Sequence, residues 1–411
     1  MTEAASVEAA VGMCVYATGG PRCSGRAKTS AEDFRVEERI SALGMVEEEQ
    51  PGYFPLYRVE KQGIDTMHMA AEMSRELRSR LSYGGLKDSR AAAVQYVTPT
   101  SLRSSKPGRI QREKFSAELV GWVPRPLTRS AVAGNRFVVT LRGCCDEIGE
   151  RIEEAFAAAR ERRVPNYFGL QRFGVGGAGT HLVGRAIVKR DFEGAVKLIL
   201  GESAGETSPE RATGELPPLS RGQDVERAVA KEAARHPGEW VRALRAVPVR
   251  LRRLYVQAYQ SYVFNRSLTL ALMSGEDISS CIKGDNWASV SGGGLLTSFA
   301  KSAKEAPVGD ATPLIQLAGY AYRNYGSRFD GWVEEALRAE EVSPGQFFIE
   351  EMQEASAEGG FRRPHMAMGE ESWTAVGEAA TLTFTLARGE YATVLLREVL
   401  KPEDPLVSGL V

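Results

Sequence analysis

At 411 residues the chain exceeds the size at which one hydrophobic core keeps growing, so two domains are the default expectation. With 43% hydrophobic and 26% charged residues it reads as a soluble globular protein, and 52 basic against 53 acidic side chains exclude a global field announcing a polyanionic partner, so any nucleic-acid surface must come from local segregation of charge. The five cysteines (Cys14, Cys23, Cys144, Cys145, Cys281) lack CxxC spacing, which argues against a disulfide framework or zinc site and for a reducing cytoplasm, while no apolar run reaches the roughly 18 to 20 residues of a membrane span and the start MTEAASVEAA lacks a signal peptide's basic residues.

Residues 1–10 read as a frayed end, and Val11 to Thr18 (VGMCVYAT) predicts a first strand closed by Gly19-Gly20-Pro21. Lys28 to Ile40 (KTSAEDFRVEERI) predicts a strand entered from an Asx or Ser/Thr turn, with Tyr57 to Glu60 as a returning partner. Apolar residues at 70, 73, 77 and 81 mark a helix between Ile64 and Leu81, capped by Asp65 or Thr66.

The stretch GGLKDSRAAAVQYVT, from Gly84 to Thr98, follows. Its glycine pair permits backbone angles that other residues avoid, so a tight turn can lift Asp88 out of a framework and present it to a ligand. Lys87 and Arg90 on either side would keep that carboxylate ionised. An ordinary solvated charged turn would use the same residues.

Ala91 to Val97 predicts a buried strand, and Ser101 to Lys114 carries a basic stripe of Arg103, Lys106, Arg109, Arg112 and Lys114, suited to phosphate or simply to solvent. Strands are expected at Phe115 to Val123 and Asn135 to Arg142, then a helix from Cys145 to Arg162. Asn166 to Gly174 (NYFGLQRFG) mixes aromatic rings with an amide and Arg172, a combination that suits base stacking as well as it suits an aromatic loop anchor. Gly174 to Gly179 matches GxGxxG, but no apolar strand leads into it, so a hinge is expected there.

From about residue 180 helices dominate: Asp191 to Leu200, Gln223 to Ala234, Glu239 to Ala246 and Arg250 to Met273, with Gly201 to Arg221 as a surface linker. Apolar positions 251, 255, 258 and 262 form a core stripe, and Arg250, Arg252 and Arg253 solvate that helix's start. Short strand-like runs surround the Gly292-Gly293-Gly294 turn, and helices resume at Trp332 to Ala339 and Pro344 to Met352. Phe361-Arg362-Arg363-Pro364 precedes a strand at Ala380 to Leu386 and a helix at Thr393 to Leu400, with Tyr391 in the connection between them.

Seven stretches in order, KTSAEDFRVEE, GGLKDSRAAAVQ, GNRF (Gly134 to Phe137), NYFGLQRFG, THLVG (Thr180 to Gly184), YVQAYQSYVFN and GEYATVLLRE (Gly389 to Glu398), resemble the TruD family of tRNA pseudouridine synthases in its archaeal form. The resemblance implies an α+β fold: a pseudouridine-synthase catalytic domain around a mixed, mainly antiparallel sheet, built from residues 1–174 and 361–411. It also implies an inserted, mostly helical TRUD domain over residues 175–360. Asp88 falls on the family's catalytic aspartate. Phe34, Asn166, Phe168 and Tyr391 fall on residues assigned to holding the target nucleoside, and Lys28 on a basic residue near the active site. Ser89 stands where many members carry Lys or Arg, and Tyr391 where bacterial members commonly have Phe, so its hydroxyl needs a partner if buried.

The implied reaction breaks the C1′–N1 glycosidic bond of a uridine, turns the base and rejoins it through C5, so it demands no redox cofactor. One ionised carboxylate can serve as nucleophile at C1′ or as base at C2′. The target must leave its stack, which creates the need for aromatic surfaces: Phe168 to stack, Asn166 to bond an edge, Phe34 and Tyr391 to close the pocket, and Lys28 to pair with Asp88. The expected partner is tRNA, at uridine 13, with no membrane and no obligatory protein partner. A non-catalytic tRNA-binding protein and a glycosidase-like hydrolase are the alternatives.

Overall fold

The computed structural model describes residues 3–41, 44–87, 89, 91–174, 179–201, 224–290, 296–301 and 310–411. Asp88 and Arg90, the interior of the GxGxxG stretch, the linker over 202–221 and the triple-glycine turn lie outside the described residues.

A short helix α1 (Ser6–Ala10) precedes strands β1 (Phe34–Ile40) and β2 (Phe54–Lys61), helix α2 (Thr66–Leu77), and strands β3 (Leu81–Tyr83), β4 (Ala92–Pro99), β5 (Arg109–Gln111), β6 (Phe115–Val123) and β7 (Val132–Arg142). Helix α3 (Ile148–Arg160) follows, then α4 (Thr180–Val188), α5 (Phe192–Ile199), α6 (Asp224–Arg235), α7 (Trp240–Arg245) and the long α8 (Val249–Met273). Strands β8 (Trp287–Val290), β9 (Leu296–Ala300), β10 (Ala311–Pro313) and β11 (Ile315–Leu317), helix α9 (Arg328–Ala339) and strand β12 (Gly360–Arg362) lead back to β13 (Met368–Val376), β14 (Ala379–Ala387) and α10 (Ala392–Leu400).

Nine strands form one sheet in the order β13-β14-β7-β1-β4-β2-β6-β5, with β3 on β4; only β1 and β4 run parallel. Both ends of the chain therefore build it. Alternation sends Phe34, Val36 and Glu38 of β1, Tyr57, Val59 and Lys61 of β2, and Ala93, Gln95 and Val97 of β4 to one face, where all are buried. Helices α3 and α10 cover the β14–β7 half of that face, with Phe156 edge-on to Phe384 at 6.3 Å. Met69, Met73 and Leu77 of α2 cover the β2–β6 half, each contributing about 1.5–3 kcal/mol by burial. Asp65 caps α2, its carboxylate accepting the N–H of Met67 at 2.8 Å and of His68 at 3.0 Å. The strip between the two halves carries the buried polar residues Glu38, Lys61 and Gln95. The opposite face is polar around Arg58, which pairs with Glu60 at 2.5 Å, and Tyr96 beside it packs on a small separate core of Leu56, Val123, Leu127 and Ala131.

Several expectations need correcting. Val11 to Thr18 is buried at Val11 and Met13 but forms no strand: Val11 and Gly12 turn off the end of α1, with the Val11 and Met13 N–H groups donating to the Glu8 carbonyl, and side chains take backbone groups further on. Arg397 donates to the carbonyls of Met13 (3.0 Å) and Val15 (2.9 Å), Asn265 to that of Val11 (3.0 Å), and Glu398 accepts from the N–H of Ala17 (2.9 Å). Tyr57 to Glu60 lies in β2 but pairs with β4 and β6, not with β1. The helix expected to reach Leu81 stops at a left-handed Arg78 (φ 51°), and Leu81 opens β3. Pro344 to Met352 forms two 3₁₀ turns rather than a helix. Arg252 does not solvate a helix end: it is buried and paired with Glu354. The core stripe of α8 is shifted from the expected one: of positions 251, 255, 258 and 262 only Ala258 is buried, while Val256, Tyr259, Val263, Phe264 and Leu268 are buried and Leu251, Tyr255 and Tyr262 pack partly buried at the edge.

Cysteine spacing argues against disulfides, yet Cys23 and Cys145, 122 residues apart, are bonded, tying the extended N-terminal segment to the start of α3. Proximity made by the fold is invisible to spacing arithmetic. Gly84 does not have positive φ; a Cβ there would lie 2.0 Å from Val132 Cγ2, so the residue serves close packing rather than an unusual turn. Among the described residues no helix is long and apolar enough to cross a membrane.

Candidate active site

The main chain is gripped on both sides of Asp88. Before it, the Lys87 N–H donates to Thr66 Oγ1 at 2.8 Å and the Lys87 carbonyl accepts from Lys61 Nζ at 3.1 Å. After it, the Ser89 carbonyl accepts from the Gly63 N–H at 3.2 Å. Thr66 is itself fixed, donating to Gln95 Oε1 at 2.9 Å, and Lys61 is anchored on the Ile64 carbonyl at 2.7 Å. These grips come from the end of β2, the start of α2 and the middle of β4, so the strip between the two helix-covered halves fixes the main chain at Lys87 and Ser89.

The Lys87 side chain points inward. Its ammonium donates to Asn135 Oδ1 at 2.5 Å and lies 3.3 Å from Glu38 Oε1, while Glu38 Oε2 accepts the Tyr96 N–H at 3.1 Å. Glu38 and Asn135 oppose each other across β1 and β7, which is why one cation reaches both. Burial pushes the Lys87 pKa down, and the Glu38 carboxylate opposes that shift. A lysine that the sequence offers as a cation flanking Asp88 is thus engaged in a buried ion pair.

A cleft of about 200 Å³ opens beside this turn, lined by Lys28, Phe34, Leu86, Lys87, Asn135 and Tyr391 among others. Phe34 is set by the turn before β1: the Asp33 carboxylate accepts the Ser30 N–H at 2.8 Å and receives Arg142 Nη2 at 2.7 Å. Its ring meets Phe137 edge-on at 6.0 Å, and Lys28 Nζ lies 4.9 Å from its centroid while donating to the Val411 carbonyl at 2.7 Å. Tyr391 stands at the N-terminus of α10, and among the described residues its hydroxyl makes no hydrogen bond. Gln171 and Thr393, hydrogen-bonded at 3.0 Å, line the same cleft. Its volume is on the scale of a nucleobase.

Asn166 and Phe168 line an adjoining cleft of about 590 Å³, which shares Glu390 with the first. The two meet where Phe168 and Tyr391 pack edge to face, ring centroids 6.3 Å apart. Asn265 of α8 holds the Phe168 backbone at both ends, its amide accepting the N–H at 2.8 Å and donating to the carbonyl at 3.0 Å. Arg362 covers the Phe168 ring at 4.0 Å and donates to Asn166 Oδ1 at 2.6 Å, to the Asn166 carbonyl at 3.0 Å and to the Gly389 carbonyl at 2.9 Å. The Asn166 amide nitrogen donates to the Arg363 carbonyl at 3.1 Å, and Asn166 is 3% exposed. Its amide is therefore occupied by the protein, whereas one ring face of Phe168 is covered by a cation. Burial lowers the Arg362 pKa to about 10, which leaves it charged at neutral pH. Glu390 is buried, accepts the N–H groups of Ala367 (3.1 Å) and Ala387 (3.2 Å), and lies 3.5 Å from Arg363 Nε; burial, opposed by Arg363, pushes its pKa up to about 7.

Of the residues singled out from sequence, Lys28, Phe34 and Tyr391 thus share one cleft with Lys87, the neighbour of Asp88, and Asn166 and Phe168 border the next. Within the basic stripe, Lys106 and Arg112 pair with Glu49 and Glu76. From the sequence Glu38, Lys61, Asn135 and Asn265 carry no assigned role at the site, and Thr66 figures only as a helix cap. A signal for two of them existed: Glu38 and Lys61 are charged residues at core-facing positions of otherwise apolar alternations.

A family model described as tRNA pseudouridine synthase D (TruD) matches residues 10–399. A Pyrobaculum arsenaticum protein named "Probable tRNA pseudouridine synthase D" is 32% identical over 433 residues, covering 100% of both chains. A Methanopyrus kandleri protein of the same name is 32% identical over 372 residues, 86% of each chain. A Methanosarcina mazei crystal structure described as a tRNA pseudouridine synthase D (TruD) superposes with a TM-score of 0.74 at 26% identity, covering 97% of this chain and 99% of that one.

Proposed function

The chain belongs to the tRNA pseudouridine synthase D (TruD) family, and from that premise we propose that it isomerises a uridine of tRNA, uridine 13, to pseudouridine with Asp88 as the reacting carboxylate. The observation that supports the assignment of Asp88 is that Lys87, the residue before it, has its main chain held by Thr66 and Lys61 and lines a base-sized cleft with Phe34 and Tyr391. Main-chain anchoring at Lys87 and Ser89 is the kind of preorganisation by which an enzyme gains rate.

The target uridine swings out of its stack into the smaller cleft, where Phe34 and Tyr391 replace the lost stacking. The Asp88 carboxylate then acts at the ribose, as nucleophile at C1′ or as base at C2′; either route cleaves C1′–N1. The freed uracil turns within the cleft and C5 bonds to C1′, releasing Asp88; the C5 proton is then lost while N1, freed from the sugar, takes one up, so atoms and oxidation state are unchanged. Lys28, lining the same cleft, is the cation assigned to keep Asp88 ionised.

Unmodified tRNA incubated with the protein, with pseudouridine mapped by carbodiimide-dependent primer extension, tests this directly. Asp88→Asn is expected to lower turnover by about a thousandfold or more. Its tRNA affinity is expected to stay within about twofold, because phosphate contacts dominate binding. An Asp88→Asn protein of wild-type turnover overturns the assignment. Release of free uracil in place of pseudouridine would mark a hydrolase instead.

A further inference from the structure

We propose that the cleft of about 590 Å³ beside Phe168 is a binding site for a nucleotide adjacent to the target uridine in the same RNA strand, with its base stacked on Phe299 and its phosphate drawn to Lys301 and Arg388. The site deepens the pseudouridine-synthase reading and rests on it.

Continuity is the first argument. Glu390 borders both clefts and Phe168 touches Tyr391 across the boundary, so a strand that sends one base into the smaller cleft must carry a neighbour past the larger. The lining chemistry is the second. Phe299 on β9 and Phe361 on β12 offer rings, and Lys301, Arg362 and Arg388 offer positive charge. The carboxylate in the lining, Glu390, is buried and already occupied by two backbone N–H groups. Rings interleaved with cations are what single-stranded nucleic acid selects, since every base has a face to stack and every link a charge to neutralise. A protein partner would need an acidic, apolar surface of matching outline; a polynucleotide supplies both features by its nature.

The third argument is readiness. Phe299 is 59% exposed, so its ring is open to a base. Its strand is paired to β8, which fixes where the ring stands. Lys301 is held beside the cleft, donating to the Tyr325 hydroxyl at 2.9 Å with its ammonium 5.6 Å from the Phe361 centroid. Arg388 is steadied through the Arg129 carbonyl at 2.6 Å and remains exposed.

The test uses the full chain and unmodified tRNA. Phe299→Ala is expected to raise KM, and the Kd measured in an Asp88→Asn background, by about tenfold while leaving the single-turnover rate at saturating tRNA unchanged. Phe299→Tyr, which keeps a ring, is expected to bind as wild type. Lys301→Ala is expected to reduce the slope of log K against log salt by about 0.7–0.9, the loss of one phosphate contact. With 2-aminopurine placed on one side or the other of the target uridine, wild type should quench one of the two on binding and Phe299→Ala should not. Because Phe299 is exposed, its replacement leaves the fold intact, which circular dichroism checks. If wild type modifies tRNA while Phe299→Ala matches it in KM, Kd and quenching, the proposed site is wrong and the enzyme reading survives. If wild type makes no pseudouridine from tRNA, the enzyme reading fails and takes this site with it.

Discussion

On one side of the base-sized cleft, the Lys87 main chain is held by Thr66 and Lys61, which stand 21 and 26 residues before it. On the other side, Phe168 is held by Asn265, 97 residues further along, and by Arg362, 196 residues beyond Asn166. The near wall is assembled within one contiguous piece, β2, α2 and β4, whereas the far wall exists only when α8 and the β12 segment have both docked. Both walls use the same device, a polar side chain bonding main-chain groups. They differ in what the device depends on, and hence in what its loss should cost: stability on the far wall, rate on the near one.

The largest effect is therefore expected at Asn265. Its amide serves the Phe168 N–H, the Phe168 carbonyl and the Val11 carbonyl, and it is fully buried. Asn265→Leu keeps the volume and strands those groups away from water, a loss of about 3 kcal/mol by chemical denaturation. A variant as stable as wild type would show that the far wall does not need the docked helix. Glu390, on the same side of the molecule, should set a pH dependence. Its carboxyl is held near pKa 7, against 4.5 for an unburied one. Between those values the folded state keeps a proton that the unfolded chain has lost, so stability falls as pH rises from 4.5 to 7. The fall amounts to about 3 kcal/mol. His365 acts in the opposite sense, since burial lowers its pKa to about 4 and folding disfavours its protonation below its ordinary 6.5. The readout is accordingly the difference between wild type and Glu390→Gln, whose stability gap should widen across that window and vanish below it. A constant gap would mean that Glu390 stays ionised in the folded protein.

The same contrast explains what could be read from the chain alone. Motif order named Lys28, Phe34 and Tyr391, and these do share a cleft with Lys87. The sheet's strands followed from alternation at β1, β4, β6, β7 and β14 because burial of one face is written locally. Asn265 escaped because it ends an apolar helical run that reads as core, and its partners lie far off in sequence. Val11 to Thr18 has a strand's composition without a strand's partners, since Arg397, Glu398 and Asn265 reach its backbone first. The Cys23–Cys145 bond and the collision that Gly84 avoids with Val132 are likewise products of tertiary contact. Lys61 and Glu38 could have been found: a charge on the buried face of a strand announces a partner, and here the partners converge on Lys87.

The near wall predicts a smaller and cleaner effect, at Thr66. Its hydroxyl accepts the Lys87 N–H and donates to Gln95, so it fixes the main chain at Lys87 without lining the smaller cleft itself. Thr66→Val preserves shape and removes the acceptor. If the turn's position is what Thr66 supplies, the single-turnover rate at saturating tRNA should fall about tenfold, since small misplacements of a reacting group are costly. KM should not change, because no phosphate or base contact is lost, and Thr66→Ser, which restores the hydroxyl, should return the rate. Thr66 would be a merely structural residue if the valine variant lost stability yet kept its rate, or if serine failed to restore it. In that case the Lys61 and Gly63 contacts alone hold Lys87 and Ser89 in place, and the near wall would owe its geometry to the end of β2 rather than to the start of α2.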